Sequence, residues 1–491
     1  MSQIMKIGID LGTTNTVVGF YNRGKIEFLK YRGKEMLSSV LAYKNNKISI
    51  GEKALKIEVN YPHKIIRSSK TFMGNKDEVW EIEGEEFTPV IVATEILKYV
   101  KKELKNRFSD KEEFEAVITV PAYFETHQVE DTKRAAEDAG IKVKSVYTEP
   151  VAAAVSYGYD EEKDQNLFII DIGGGTFDVA ILEINENNFN VKVIEGDNHL
   201  GGDKFDEVLV NRIERQIKIK TRLDLSSKKV SGLEIDPYNR IKSRIRNIAE
   251  RVKKELSEYE EVIIHDLTNL TENISIEEMK ITRREFELYS KVFFNKIKET
   301  VDKALKQYGD SDDIDKVVLV GGSSRIPKIR EIINNKFGLN KTHCDKPVDK
   351  MVSEGAVYLV DPVRNTGIQE KRIKVSDILS HSLGLAIGKD YEKFHPILKK
   401  GEEYPIEKSE TFVTTVDYQK QIELMVYEKV EDDEKENKLY EKIVITGLSL
   451  EKKGELKIKV TFKYDENRVL HITAKDNKGS INEKLKVNFK K

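Results

Sequence analysis

Two segments of the chain share one pattern of aspartate, glycine and threonine. Residues 9–18 read IDLGTTNTVV and residues 170–179 read IDIGGGTFDV. Each segment is typical of an apolar strand that ends in Asp, a tight Gly/Thr turn and a second apolar strand. Glycine in such a turn lets successive backbone N–H groups approach one anion. The repeat therefore predicts two matched hairpins, each able to bind a phosphate group.

The aspartate at the end of each first strand is a candidate metal ligand. Asp10 and Asp171 carry hard carboxylate oxygens, which Mg²⁺ prefers and which suit a metal that accompanies phosphate. Two such hairpins, one in each half of a duplicated domain, could hold a polyphosphate from both sides. For either hairpin alone an ordinary glycine-containing turn is the alternative, and the repetition argues against that alternative for the pair.

Length, charge and cysteine content restrict the class of protein. The chain has 491 residues, which suits two or more domains, and 83 Lys and Arg against 85 Asp and Glu, which argues against a dedicated nucleic-acid binder. Cys344 is the only cysteine, so no intramolecular disulfide can form, and we interpret it as an incidental thiol. We expect no secretory signal, because the first residues carry no basic segment followed by an apolar run, and no membrane span, because no apolar run approaches about 18 residues. We expect a cytoplasmic protein without a membrane partner.

Apolar strands alternate with amphipathic helices from residue 4 to about residue 365, which predicts a layered α/β architecture. The predicted strands are 6–9, 17–21, 116–120, 167–171, 179–183 and 316–320, and the predicted helices are 91–106, 125–139, 203–222, 236–259, 283–307 and 327–336. Near residue 366 the pattern changes. Polar residues 365–372 indicate a linker, and period-2 runs at 421–427, 456–462 and 469–474 predict an antiparallel β domain. The acidic run at 431–438 is predicted to be a solvated loop.

Six motifs occur in the order found in the 70-kDa heat-shock chaperone family, so the chain resembles DnaK-like proteins. They are IDLGTTN at 9–15, VPAYF at 120–124, EPVAAA at 149–154, DIGGGTFD at 171–178, LGGDKFD at 200–206 and GGSSRIP at 321–327. The resemblance continues through Leu383-Gly384 and LHITAKD at 470–476, and therefore covers nearly the whole chain. It implies an actin-like, two-lobed α/β ATPase domain at 1–366, a linker at 367–376 and a peptide-binding β-sandwich at 377–491.

The resemblance implies ATP or ADP with Mg²⁺ in the first domain. Asp10 and Asp171 would hold the metal through its water shell, Glu149 would orient the hydrated metal and the attacking water, and Asp178 would order solvent. Lys70 best matches the catalytic lysine, with an ordinary surface lysine as the alternative. The residues that match the two phosphate loops are Gly12, Thr13, Thr14, Asn15, Gly173, Gly174, Gly175 and Thr176, the last also a candidate catalytic residue.

The nucleoside side of the site is implied by a helix and a glycine turn. The helix positions Glu250, Lys253, Lys254 and Ser257 have i, i+3, i+4 and i+7 spacing and share one face, with a solvated charged stripe as the alternative. Arg325 could stack its guanidinium on adenine, while Lys254 replaces a second stacking arginine and predicts weaker adenine binding. The remaining residues assigned to the nucleotide by resemblance are Gly201, Gly202, Gly321, Gly322, Ser323 and Asp349.

In the β domain the resemblance aligns Ile422 and Leu424 with the peptide pocket and Phe394 with an arch over the peptide. Because period-2 apolar residues are common in sandwich cores, a core position is the alternative for Ile422 and Leu424.

Several departures from the family pattern affect the predicted coupling between domains. Residues 373–377 read IKVSD in place of an acidic-flanked run of leucines, Val129 replaces an arginine that relays the nucleotide state, and Val348 replaces a proline. No helical segment that would form a lid follows the last predicted strand. These features place allosteric coupling in question and leave the predicted ATP site largely intact.

The sequence thus predicts a monomeric ATP-dependent chaperone that hydrolyses ATP slowly without partners and binds unfolded or extended polypeptide segments to assist folding. The resemblance implies J-domain proteins and nucleotide exchange factors as partners. A nucleotide-dependent regulatory or scaffold protein with uncoupled ATPase is the main alternative. A further alternative is another protein of the actin fold, either a sugar kinase or a filament former. The β-rich region after residue 377 argues against both.

Overall fold

The structure is a computed structural model of the full chain. It describes residues 4–111, 113–158, 164–271, 274–343, 347–361, 363–365, 370–387, 393–429, 437–479 and 482–485. Cys344 and most of the predicted acidic loop lie outside these described residues.

The first predicted hairpin lies at the centre of a mixed sheet. In spatial order its main strands are Lys142–Thr148, Phe114–Val120, Met5–Leu11, Asn15–Asn22 and Lys25–Phe28. The first three strands are parallel to one another, and the last two continue antiparallel. One apolar core of this sheet includes the buried faces of helices Pro89–Arg107 and Thr126–Asp138.

The second predicted hairpin lies in a sheet of the same design. Its strands follow the order Thr342–His343, Lys316–Val320, Gln165–Ile172, Phe177–Asn185 and Asn188–Asp197. Again the first three are parallel and the next two are antiparallel. The two sheets share one strand order and one set of directions, which is the duplication that the repeated motif predicted.

Two helices pack between these sheets in a core to which strands of both contribute. These are Glu149–Gly158 and Met351–Val360. Their backbones touch, since a Cβ added to Gly355 would lie 1.8 Å from the carbonyl oxygen of Ala152. A glycine is therefore required where the helices cross.

The remaining elements of this N-terminal region surround the two sheets. The helices are Glu52–Glu58, Gly202–Thr221, Lys228–Ser231, Ile235–Glu258, Arg283–Tyr289, Lys291–Tyr308 and Pro327–Phe337. The short strands are Leu37–Ser38, Leu41–Lys44, Lys47–Ile50, Ile65–Ile66, Trp80–Ile82, Glu85–Phe87, Glu261–Ile264, Leu267–Thr271, Ile274–Ile276, Met279–Thr282, Val363–Asn365 and Glu370–Arg372.

The single helix predicted at 283–307 is wrong, because the chain breaks it at Ser290. Ser290 has φ −88° and ψ 2°, so the helix Arg283–Tyr289 ends there and a second helix begins at Lys291. The break keeps the apolar period, since Phe286 and Phe294 both pack against the ring of Phe205. Periodicity alone could not reveal it.

The segment predicted to link the two domains forms a strand, Lys374–Ile378, which we call the linker strand. It pairs in parallel with Asn188–Asp197 at the edge of the second sheet and antiparallel with Glu403–Tyr404. Before it, Val363–Asn365 and Glu370–Arg372 form a short hairpin, while residues 366–369 lie outside the described part of the chain. The linker strand is therefore an element of the second sheet.

Beyond the linker strand the chain forms a β domain of two antiparallel sheets, as its period-2 runs predicted. One sheet has the order Lys393–Leu398, Ser382–Ile387, Gln421–Lys429 and Asn437–Thr446, and the other has Ile406–Val413, Lys457–Tyr464, Leu470–Asp476 and Asn482–Leu485. Apolar side chains from both sheets form one buried core between them.

Candidate active site

The two Gly/Thr turns of the matched hairpins lie against each other. A Cβ added to Gly174 would lie 2.1 Å from Thr14 Oγ1, and one added to Gly175 would lie 3.1 Å from Thr13 Oγ1. A cleft of about 1270 Å³ opens beside the turns, and Thr71, Gly175 and Gly201 belong to its lining. The structure thus brings the two predicted phosphate loops together, with Gly175 of the second loop at the cleft, and glycine is needed where the loops approach each other.

A buried ion pair lies next to the two turns. Lys70 belongs to the short 3₁₀ helix Ser69–Phe72, and its Nζ lies 2.5 Å from Oε1 of Glu149 at the start of helix Glu149–Gly158. Lys70 is 6% exposed and Glu149 is 7% exposed. The surface alternative for Lys70 does not describe this position, because the ammonium group is enclosed and paired.

Three aspartates lie close together beside this pair, so their ionised forms would repel one another and Glu149. Burial, with the charge of Glu149 adding to it, raises the pKa of Asp10 to about 7 and that of Asp178 to about 8. The same causes raise the pKa of Asp171 well above its usual range, with Asp10 and Asp178 contributing. Lys70 opposes these shifts. The cluster would accept further positive charge, and a hydrated divalent cation fits it.

The LGGDKFD motif supports the second turn from behind. The N–H of Gly202 donates to the carbonyl of Gly173 at 3.0 Å, and the N–H of Asp203 donates to the carbonyl of Gly174 at 2.7 Å. A Cβ on Gly201 would lie 2.6 Å from that same Gly174 oxygen. Any larger residue at position 201 would therefore displace the turn.

The GGSSRIP motif contacts the same turn from another side. Ser323 Oγ donates to the carbonyl of Gly173 at 2.8 Å. Gly321 has φ +78°, and a Cβ there would lie 2.5 Å from Asp171 Oδ1. The turn is thus held by two separate glycine motifs.

The residues predicted for the nucleoside separate into two groups. Arg325 and Ser257 line a cavity of about 620 Å³ together with residues of helix Pro327–Phe337. Asp349 accepts two hydrogen bonds from the Arg325 guanidinium, at 3.0 and 2.7 Å, so it orients the proposed stacking group. Glu250 and Lys254 instead form an ion pair with each other at 2.6 Å, in which the Lys254 side chain is largely exposed and that of Glu250 is partly buried.

The side chain of Lys253 extends towards the phosphate loops and pairs with Asp206, a residue that sequence reasoning missed. Its Nζ donates to the carbonyl of Gly202 at 3.0 Å and to Asp206 Oδ2 at 2.7 Å. Burial raises the pKa of Asp206 to about 6, and Lys253 opposes that shift. Asp203, three residues earlier, accepts a hydrogen bond from Ser68 at 2.7 Å across the cleft. Both acids lie in the quoted LGGDKFD motif, which was the available signal.

The residues of the cluster and the turns fit a magnesium nucleotide. The acids lack enough positive charge within the described part of the chain, and glycines leave no side chain where the two turns approach each other. Asp10 and Asp171 are the residues that could hold Mg²⁺ through water, and Thr176, 5% exposed, supports its turn through its carbonyl, which accepts from the Gly173 N–H at 3.0 Å.

The fold is of the α/β class, in which two like sheets carry the matched turns and a β-rich domain follows them. The model of the Hsp70 protein family matches residues 6–491 of this chain. The protein therefore belongs to the Hsp70 family, whose members are ATP-dependent chaperones that bind ATP or ADP with Mg²⁺. Members of this family generally bind unfolded peptides and co-chaperones. Among the helices of the described residues, none is long and apolar enough to span a bilayer.

The three residues predicted for peptide binding have different environments. Leu424 is 6% exposed and belongs to the core of the β domain, while Ile422 is partly buried against that core. Phe394 lies partly exposed on the strand Lys393–Leu398. The core alternative thus describes Leu424, and a peptide could reach only Ile422 and Phe394 without displacing core atoms.

The β domain contacts the N-terminal region at the segment that follows strand Phe114–Val120. The N–H of Thr126 donates to Glu428 at 3.0 Å, and the hydroxyl of Tyr440 donates to Glu130 at 3.1 Å. Nearby, Lys400 pairs with buried Glu195 at 2.7 Å. Val129 and Val348, at which the sequence departs from the family pattern, are both buried. The interface is polar and largely excluded from water.

Proposed function

We propose that this chain hydrolyses ATP between its two Gly/Thr turns and couples hydrolysis to the binding of extended apolar peptide segments in its β domain. One observation carries the proposal. The charged residues lie together beside the two turns, which approach each other; they are Asp10, Lys70, Glu149, Asp171 and Asp178. The two-lobed actin-like arrangement of this region, with domain limits at 1–366, 367–376 and 377–491, forms part of the proposal.

Phosphoryl transfer to water depends on positioning and charge neutralisation more than on covalent chemistry. Backbone N–H groups of the two turns would bind the phosphates, and bound Mg²⁺ would neutralise their charge. Lys70, fixed by Glu149, would orient the attacking water and offset charge that develops on the γ-phosphate. Asp178 accepts a hydrogen bond from the Tyr123 N–H at 3.0 Å, which leaves a carboxylate oxygen available to order that water.

Coupling is supported by the linker strand. It extends the sheet that carries Asp171 and Asp178, so a shift of that sheet reaches the first residues of the β domain. Ile422 and Phe394 are the proposed peptide contacts, with main-chain hydrogen bonds to the extended peptide adding affinity. J-domain proteins and nucleotide exchange factors are the proposed partners, and a monomer in the cytoplasm is the proposed state.

The test is the affinity of the purified protein for a fluorescent apolar heptapeptide in saturating Mg-ATP and in Mg-ADP. We expect at least about tenfold weaker binding in ATP, the scale of an ordinary coupling free energy between two sites. ATP turnover with equal peptide affinities in the two nucleotides would favour the regulatory or scaffold alternative. Absence of turnover would contradict the ATPase assignment itself.

A further inference from the structure

The largest side chain among the fully buried described residues is an arginine at the domain interface. Arg468 is 1% exposed and lies in the turn between strands Lys457–Tyr464 and Leu470–Asp476. Its φ of +63° is left-handed, a region that favours glycine over a side chain of this size. A buried charge on a strained backbone calls for a compensating role.

Arg468 contacts three parts of the chain at once. Its Nη2 donates to the carbonyl of Ala122 in the N-terminal region at 3.3 Å and to Ser380 Oγ at 3.4 Å. The charge of Asp377, a 3%-exposed residue of the linker strand, also acts on the guanidinium. Tyr404, which donates to Asp377 at 2.6 Å, lies with its ring 6.0 Å from the Arg468 Cζ.

The contact with Ala122 continues directly into the proposed ATP site. The carbonyl of Ala122 and the N–H of Tyr123 are the two ends of one planar peptide group. That N–H donates to Asp178 Oδ1 at 3.0 Å. A single peptide group therefore connects the guanidinium of Arg468 to a carboxylate of the acid cluster. Because the peptide group is planar, a hydrogen bond that fixes the Ala122 oxygen also restricts the direction of the Tyr123 N–H.

Neighbouring contacts hold the same segment against the β domain. The ring of Tyr123 lies 4.6 Å from that of His381, edge to face. Lys400 Nζ lies 5.4 Å from the centre of the Tyr123 ring. Phe124 extends the segment on the other side, with Lys70 Nζ 5.8 Å from its ring centre. The segment thus has catalytic candidates on one side and β-domain residues on the other.

We propose that Arg468 is a positioning residue for ATP hydrolysis, supplied by the β domain, which orients Asp178 through the Ala122–Tyr123 peptide group. The proposal rests on the ATPase function proposed above. Arg468 donates to Ala122 and Ser380 and to neither Gly/Thr turn, so its removal should affect the chemical step and leave nucleotide binding in place.

The test compares kcat and KM for ATP in the full chain and in Arg468→Gly. Glycine suits the left-handed φ, so this variant removes the guanidinium while relieving the backbone. We expect kcat to fall about three- to tenfold, the range of one ordinary hydrogen bond, because the contact with Ala122 is long at 3.3 Å, and we expect KM to change less than about twofold. Arg468→Lys keeps the charge and should recover part of kcat. Tyr418→Gly is the matched control, because Tyr418 also has positive φ, 55°, in an exposed β-domain turn, and we expect it to retain wild-type kcat.

A double variant separates positioning from the loss of a counter-ion. Arg468→Gly leaves Asp377 buried without its cation, whereas Asp377→Asn with Arg468→Gly leaves no unpaired charge there. We expect the double variant to regain thermal stability and to keep the lowered kcat. Full recovery of kcat in the double variant, wild-type kcat in Arg468→Gly, or a change confined to KM would each overturn the inference. If the wild type itself lacks ATP turnover, both the proposed function and this inference fail. Normal turnover in the wild type with unchanged turnover in Arg468→Gly overturns this inference alone.

Discussion

Replacement of Lys70 by methionine is the sharpest perturbation of the proposed ATP site. Methionine approximates the length of the lysine side chain and removes only its charge and its donors. In the structure Lys70 reaches Glu149 at 2.5 Å, and both residues are less than one-tenth exposed. The variant therefore removes a preorganised cation from a site where water screens little of its charge.

The expected loss follows from that burial. Removing one preorganised electrostatic contact at a reacting centre costs about 10²- to 10³-fold in turnover. Breaking a buried ion pair also costs about 3–5 kcal/mol of stability, because Glu149 is left without its partner. Nucleotide affinity should change less than about threefold, since the loss concerns the transition state more than the ground state.

The assay is single-turnover phosphate release at saturating protein, with Mg-ADP affinity by calorimetry and stability by thermal unfolding. Adding Glu149→Gln to Lys70→Met removes the unpaired carboxylate, so the double variant should recover stability without recovering turnover. Lys64→Met is the control, because Lys64 also forms a partly buried ion pair, with Glu83, outside the cleft. Turnover of Lys70→Met within about threefold of the wild type would refute the catalytic assignment, since one preorganised contact supplies far more than that.

Three further predictions concern the turns, the interface and the peptide site. Gly201→Ala places a Cβ 2.6 Å from a carbonyl of the second turn and should weaken Mg-ADP binding at least about tenfold by calorimetry. Burial at the domain interface raises the pKa of Glu130 from 4.5 to about 8, so docking should be strongest at low pH and weaken as the pH rises through 8. Protease cleavage at the linker strand would report this, and Glu130→Gln should flatten the pH dependence. Leu424→Ala should destabilise the β domain by about 2–5 kcal/mol, whereas Ile422→Ala should mainly lower peptide affinity in a fluorescence titration.

Each of these predictions has a contrary result. Unchanged affinity in Gly201→Ala would mean that the turn does not bind phosphate in this conformation. Cleavage independent of pH in the wild type would show that Glu130 titrates alike in docked and undocked forms. Equal stability losses in Leu424→Ala and Ile422→Ala, with peptide affinity intact, would assign both residues to the core.

Local patterns in the sequence predicted the matched hairpins well. The predicted strands before Asp10 and Asp171 lie within the observed strands Met5–Leu11 and Gln165–Ile172, because two short apolar runs joined by a glycine turn specify a hairpin from neighbouring residues alone. Duplication of the motif also predicted two sheets of one topology. The helix on residues 283–307 was the exception, because Ser290 interrupts the backbone without interrupting the apolar period.

Sequence by itself determined which residue types would meet phosphate and metal in the proposed site, since Gly, Thr and Asp in fixed spacing act within a few residues of one another. Only the tertiary structure decided which distant groups became their neighbours. Lys70 pairs with Glu149, the linker strand joins the second sheet, Leu424 enters the core, and Arg468 meets Ala122 across 346 positions of chain. Such contacts depend on how sheets and domains pack, and no local pattern of side chains specifies that packing.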